Sequence, residues 1–188
     1  MPVTVCSARA SAATRLRPWC ILALLAFGTT IQAADAVRVV PVVHADRVMI
    51  SYDLRDGFTP EVQEAIASGL RTTFTYTVEL RMEVPVWVDR TIDSVVVTCS
   101  DQYDNLTRRH SLVRTLDGRV EDAVVSDDLA FVRKWMTTAD RLPLFKTSRL
   151  EPNHDYYVRV SVQARPRGGS VLAFGNAASG MARFTFIP

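Results

Sequence analysis

Any chemistry in this chain has to come from its histidines, its carboxylates or an activated hydroxyl, so the spacing of those residues decides which reactions are open to it. His44, His110 and His154 are its three histidines, and none has another His, Cys or Glu at metal-ligand spacing on a shared element. Surface or turn roles are expected for all three. Asp101, Asp104 and Asn105 put oxygen donors into one turn, but a calcium loop also needs a Gly at the bend and a terminal bidentate Glu, which are missing here. Asp53, Asp56 and Glu61 are close enough in sequence to suggest a glycosidase pair, yet turn and helix-start positions account for them without catalysis. No hydroxyl residue has a Gly-x-Ser-x-Gly frame, and Ser170 after Gly168-Gly169 reads as flexible loop. No catalytic residue, metal or cofactor is expected.

Recognition chemistry has better candidates. Arg165-Pro166-Arg167-Gly168-Gly169 sets two guanidinium groups around a proline, an arrangement suited to gripping an acidic partner, against the plainer reading of a solvated hairpin loop. Trp87 follows Pro85, which breaks a strand, and is the better surface contact of the tryptophans considered. Trp135 falls on the apolar face of a helix and reads as core. Asn105-Leu106-Thr107 matches a glycosylation sequon.

The N-terminus sets the compartment. A polar stretch to Pro18 carries Arg9, Arg15 and Arg17 without an acid, an apolar core runs from Trp19 to about Ile31, and small residues follow at Ala33, Ala34 and Ala36. This is the pattern of a cleavable export signal over residues 1–33, with cleavage after Ala33 or Ala36. Its core of about 12 residues is short of the roughly 20 needed to span a membrane. Removing three arginines turns the formal charge of +2 into −1, which gives no electrostatic case for nucleic acid or for an anionic membrane. Cys6 and Cys20 leave with the signal, so the remainder keeps Cys99 alone and cannot form an internal disulfide. With 48% hydrophobic and 22% charged residues, the composition is that of a folded chain.

Residues 37–188 are then expected to form one mainly β domain, an antiparallel sandwich of immunoglobulin or fibronectin type with two short inserted helices. Val37–Val43 contains Pro41 and reads as an edge strand. Val48, Ile50, Tyr52 and Leu54 alternate with polar residues, as do Phe74, Tyr76, Val78, Leu80 and Met82. A further strand is suggested at Val86–Val88. Val95-Val96-Val97, a run within Ile92–Cys99, suggests a central position. Thr59-Pro60 and Ser126 are helix-start signals, the second helix carrying Leu129, Val132 and Met136 as its stripe, and Asp117-Gly118 is a hairpin turn. Strands are also expected over Leu106–Leu116, Val120–Val125 and Ala182–Ile187, with Asp101–Asn105 as a turn. Leu150, Pro152 and Tyr156 precede the alternating Val158, Val160 and Val162, a pattern that resembles the tyrosine corner of such sandwiches.

Three blocks carry a family resemblance: Ser51-Tyr52-Asp53-Leu54-Arg55-Asp56-Gly57-Phe58-Thr59-Pro60-Glu61-Val62, Ala65-Ile66-Ala67-Ser68-Gly69-Leu70, and Thr73-Phe74-Thr75-Tyr76-Thr77-Val78-Glu79-Leu80. Trp87 with Asp89-Arg90, and Tyr103-Asp104 with Leu106-Thr107, continue them. The region from about Val37 to Phe186 resembles the bacterial Domain of Unknown Function 4390 family. The resemblance implies exported proteins without an established activity or catalytic residues to carry over, encoded near sensor kinase genes. The expected function is a periplasmic, non-enzymatic protein-interaction module whose partner is an envelope protein such as a sensor kinase. Nucleic-acid binding and stable membrane insertion are not expected. The alternatives are a carbohydrate-binding module using Trp87 and a hydrolase with carboxylates from distant loops.

Overall fold

The computed structural model describes residues 36–84, 87–166 and 178–187. The export-signal expectation falls on residues outside this set, as does Arg167. Among the described residues, nine strands and two α-helices follow in chain order: β1 (Val37–His44), β2 (Arg47–Leu54), α1 (Pro60–Ala67), β3 (Thr72–Met82), β4 (Arg90–Asp104), β5 (Arg109–Leu116), β6 (Arg119–Ser126), α2 (Leu129–Thr137), β7 (Thr138–Lys146), β8 (His154–Pro166) and β9 (Ala178–Phe186), with a 3-10 turn at Thr147–Arg149 between β7 and β8.

The strands form two antiparallel sheets, one ordered β1-β2-β7 and the other β6-β5-β4-β3-β8-β9. The sheets do not close into a barrel. Strand β3 sits near the middle of the larger sheet, and its strict alternation gives it one buried face. Phe74, Tyr76, Val78 and Leu80 are fully buried while the intervening Thr73, Thr75, Thr77 and Glu79 are partly exposed. They meet Val48, Ile50 and Tyr52 of β2 and Val158, Val160 and Val162 of β8 in one apolar core. Burying a Val, Leu or Phe side chain contributes about 1.5–3 kcal/mol, so this shared interior dominates the stability of the fold.

The local signals act as their chemistry dictates. Thr59 caps α1 by accepting from the Val62 amide, with Pro60 opening the helix. Asp117 and Gly118 both have positive φ, 47° and 80°, the twist a two-residue hairpin needs between β5 and β6. The Tyr156 ring is buried, and its hydroxyl accepts from the Glu151 amide at 2.7 Å and donates to the Glu151 carbonyl at 3.3 Å.

Several expectations need correction. Residues 87–89 are not a strand, and the Trp87 amide donates to the Val84 carbonyl; Val86, where that strand was expected to begin, lies outside the described residues. The strand expected to end at Cys99 runs on to Asp104, moving the turn to residues 105–108, because Asp101 and Tyr103 continue the inward alternation. Val95 and Val97 point inward and Val96 outward, so the valine run is an alternation after all. Asp128, rather than Ser126, caps α2, and the Ser126 hydroxyl accepts from the Asp128 amide one step earlier.

Candidate functional site

The largest departure from the sequence reading is a buried ionisable pair. Inward-facing positions of β4 run Val95, Val97, Cys99 and then Asp101, so the same alternation that buries the hydrophobic residues carries a carboxyl into the interior. On β5 the inward positions are His110 and Leu112. The register pairs Asp101 with Leu112 and Tyr103 with His110, which sets Asp101 and His110 diagonally across the same face. His110 Nδ1 lies 2.8 Å from Asp101 Oδ2, and the Tyr103 ring tilts against the imidazole at 4.6 Å between centroids.

Burial pushes the Asp101 carboxyl above the usual aspartate range, and the His110 hydrogen bond draws it partly back. Its second oxygen, Oδ1, is buried without a hydrogen-bond partner among the described residues. His110 is 6% exposed yet lines a pocket of about 730 Å³, so with Nδ1 held by Asp101 its Nε2 is the nitrogen offered to the opening.

Three elements shape that pocket. Helix α1 supplies Gln63 and Ile66, and its C-terminal end is tied to β4 by Gln102, which donates to the Gly69 carbonyl at 2.8 Å. The β4–β5 turn supplies Arg108 and Arg109. It is folded around Asp104, whose carboxylate accepts from the Leu106 and Thr107 amides and the Thr107 hydroxyl. Those bonds, the Leu106 amide first, hold the Asp104 carboxyl below its usual range. The start of α2 supplies Asp127 and Leu129. Leu106, at the tip of the turn, is 94% exposed, and Leu129 is 48% exposed. Neither Arg108 nor Arg109 is in an ion pair among the described residues. The arrangement can therefore hold a ligand by charge and apolar contact together.

The far end of α2 is fixed by a second polar cluster. Arg114 stacks on the Trp135 ring at 4.5 Å and donates to the carbonyls of Trp135 and Thr138, while the Tyr76 hydroxyl donates to the Met136 carbonyl at 2.7 Å. These bonds satisfy carbonyls that the end of a helix leaves open. Cys99 is buried beside Tyr52 and Arg114, and burial pushes its thiol up, away from reactivity.

The residues proposed from sequence are dispersed. Asp101 and Asp104 do not share a calcium turn: one faces the core and the other is spent on the turn backbone. Asp53 lines a shallow depression on β2, Asp56 sits in a turn at φ 53°, and the Thr59 hydroxyl beside Glu61 holds that carboxyl below its usual range. None of the three lines the pocket at His110. Among the described residues, no three His, Cys, Asp or Glu side chains are placed to hold a metal ion. Arg165 lies on β8 opposite Thr73 of β3.

Trp87 is 82% exposed. The same stretch of chain borders an opening of about 850 Å³ lined by Glu83, Asp89 and Asp155 with Asn153 and Arg183. Each of these carboxylates is engaged: Glu83 pairs with Arg183, Asp89 accepts from the Tyr157 hydroxyl at 2.8 Å, and Asp155 accepts from the Thr185 hydroxyl. The Tyr157 bond leads the causes that hold Asp89 below its usual range, the opposite of what a general acid requires.

A family model described as a domain of unknown function, DUF4390, matches residues 32–167. No curated protein and no solved structure matches the chain.

Proposed function

The chain belongs to the family described as domain of unknown function DUF4390, and from that starting point we propose that it is an exported, non-enzymatic interaction module of the bacterial periplasm. The N-terminal sequence pattern supports export. The observation that carries the interaction role is the pocket at His110. A buried Asp–His pair backs it, two arginines without an ion partner among the described residues border it, Leu129 stands exposed on its wall, and Leu106 is exposed on the turn that supplies Thr107 and Arg108 to it. The partner is an envelope protein such as a sensor kinase. Arg165, near the end of β8, and Arg167, outside the described residues, are proposed as a second contact.

The finer fold reading belongs with this proposal. The order β1-β2-β7 opposite β5-β4-β3-β8-β9 corresponds to the A-B-E and C″-C′-C-F-G arrangement of a variable-type immunoglobulin sandwich, with β6 added. In that assignment Tyr156 opens strand F, the position of a tyrosine corner, supported by Leu150 and Pro152 just upstream.

A photo-crosslinking side chain placed at Leu106, Leu129 or, as a remote control, Val42 tests the interaction role in cells. The expected outcome is a discrete protein adduct from Leu106 and Leu129 and none from Val42. Loss of adducts at both groove positions, or the same adducts from all three, overturns the reading.

Trp87 supports a second reading, a carbohydrate-binding surface, because it is exposed on the chain between Val84 and Asp89, which line an opening that also carries the Asn153 amide and the Arg183 guanidinium. Retention on a glycan array that disappears in Trp87→Ala would favour it over the groove.

A further inference from the structure

The pocket at His110 has a charge character that narrows what it accepts. Asp101 on β4 holds the imidazole from behind and Tyr103 packs against the ring; the charged residues lining the pocket with it are Arg108 and Arg109, from the turn and the start of β5, and Asp127 ahead of α2, whereas Glu61 and Glu64 of α1 are not among its lining. Asp101 is fully buried and already bound to Nδ1, so it is unavailable to a ligand. On the pocket side two guanidinium groups face one carboxylate, an excess of positive charge. The imidazole adds a further polar group, Nε2 being the ring nitrogen that Asp101 does not hold. Ile66 and Leu129 supply apolar wall beside these donors.

Resting on the interaction role given above, we propose that the groove seats an acidic segment of a partner protein. A carboxylate of that segment is held by Arg108 and Arg109 beside His110, and an adjoining apolar side chain lies against Ile66 and Leu129. Charge-assisted hydrogen bonds to a carboxylate provide the selectivity, and the apolar wall favours acids flanked by aliphatic residues over a polyacidic tract.

The test uses the purified protein and fluorescein-labelled peptides of alternating Glu and Leu, with alternating Gln and Leu as the uncharged control, read by fluorescence anisotropy. The Glu–Leu peptide is expected to bind about tenfold or more tighter than the control. The double variant Arg108→Glu with Arg109→Glu, both at exposed positions, should abolish that preference while circular dichroism stays unchanged. Equal binding of the two peptides, no binding of the Glu–Leu peptide, or an unaffected double variant overturns the acidic-segment proposal. Leu106 and Leu129 crosslinks that persist under any of those results leave the interaction role standing, whereas their loss removes that role as well.

Discussion

A Cβ atom added to Gly180 on β9 would stand 1.7 Å from the carbonyl oxygen of Val37 on β1, a separation no side chain can occupy. The first and last strands of the domain touch there, backbone against backbone, although they belong to different sheets. Gly180→Ala must push the strands apart, and because backbone cannot rotate away the cost should reach or exceed the upper end of the ~1–3 kcal/mol typical of overpacking. Gly118→Ala is the control: nothing lies within 4 Å of its added Cβ, so only the strain of its positive φ is left, about 1 kcal/mol. Urea unfolding of both variants should show that order.

Tyr156→Phe removes one hydroxyl that serves both the amide and the carbonyl of Glu151. The ring keeps its volume, so the loss isolates the hydrogen bonds. A decrease of about 1–3 kcal/mol is expected from equilibrium denaturation. No change would mean that water replaces the hydroxyl.

Asp101 should make stability pH-dependent. Its carboxyl is raised in the folded state by burial, so between the ordinary aspartate range and the raised value the native protein binds more protons than the unfolded chain. Stability therefore falls as pH climbs through that window. Asp101→Asn removes the titration, so wild type should lose ground to the variant as pH rises through the window and hold a constant gap above it. Chemical denaturation at a series of pH values measures the gap; a flat difference counts against a raised carboxyl.

Asp89 should behave in the opposite sense. The Tyr157 hydroxyl leads the interactions that lower its carboxyl, so the stabilisation is present above the unfolded value and disappears as pH falls through the folded one. Tyr157→Phe should move Asp89 back up in a carboxyl NMR titration. It should also narrow the difference between neutral and acid stability.

Legibility in the sequence followed regularity. Strands β2, β3 and β8 show their buried faces because period two is unbroken, and α1 shows its start because Thr59 and Pro60 are local signals. Strand β7 went unseen for a physical reason. Its pairing with β2 shifts register twice, Arg141 takes a positive φ of 45°, and Pro143 interrupts the donors, so no alternation survives. The His110–Asp101 pair was hidden differently. Asp101 looked like a turn residue because three polar residues cluster nearby, yet extending the count Val95, Val97, Cys99 by two lands on it. A carboxyl in an inward register was the available signal.

The Ser51 hydroxyl donates to Asp140 and accepts from the Arg141 amide, tying together β2 and β7 across 89 and 90 residues of chain. By contrast β3, β4, β5 and β6 pair in sequence order. Loop-closure entropy then imposes a sequence of events on folding: the meander can assemble from local encounters, whereas the three-stranded sheet waits for its ends to be brought together. Substitutions at the β2–β7 seam should mainly accelerate unfolding, and those in the meander should slow refolding. The seam is thus where the lifetime of the folded protein can be adjusted without altering how quickly it is reached.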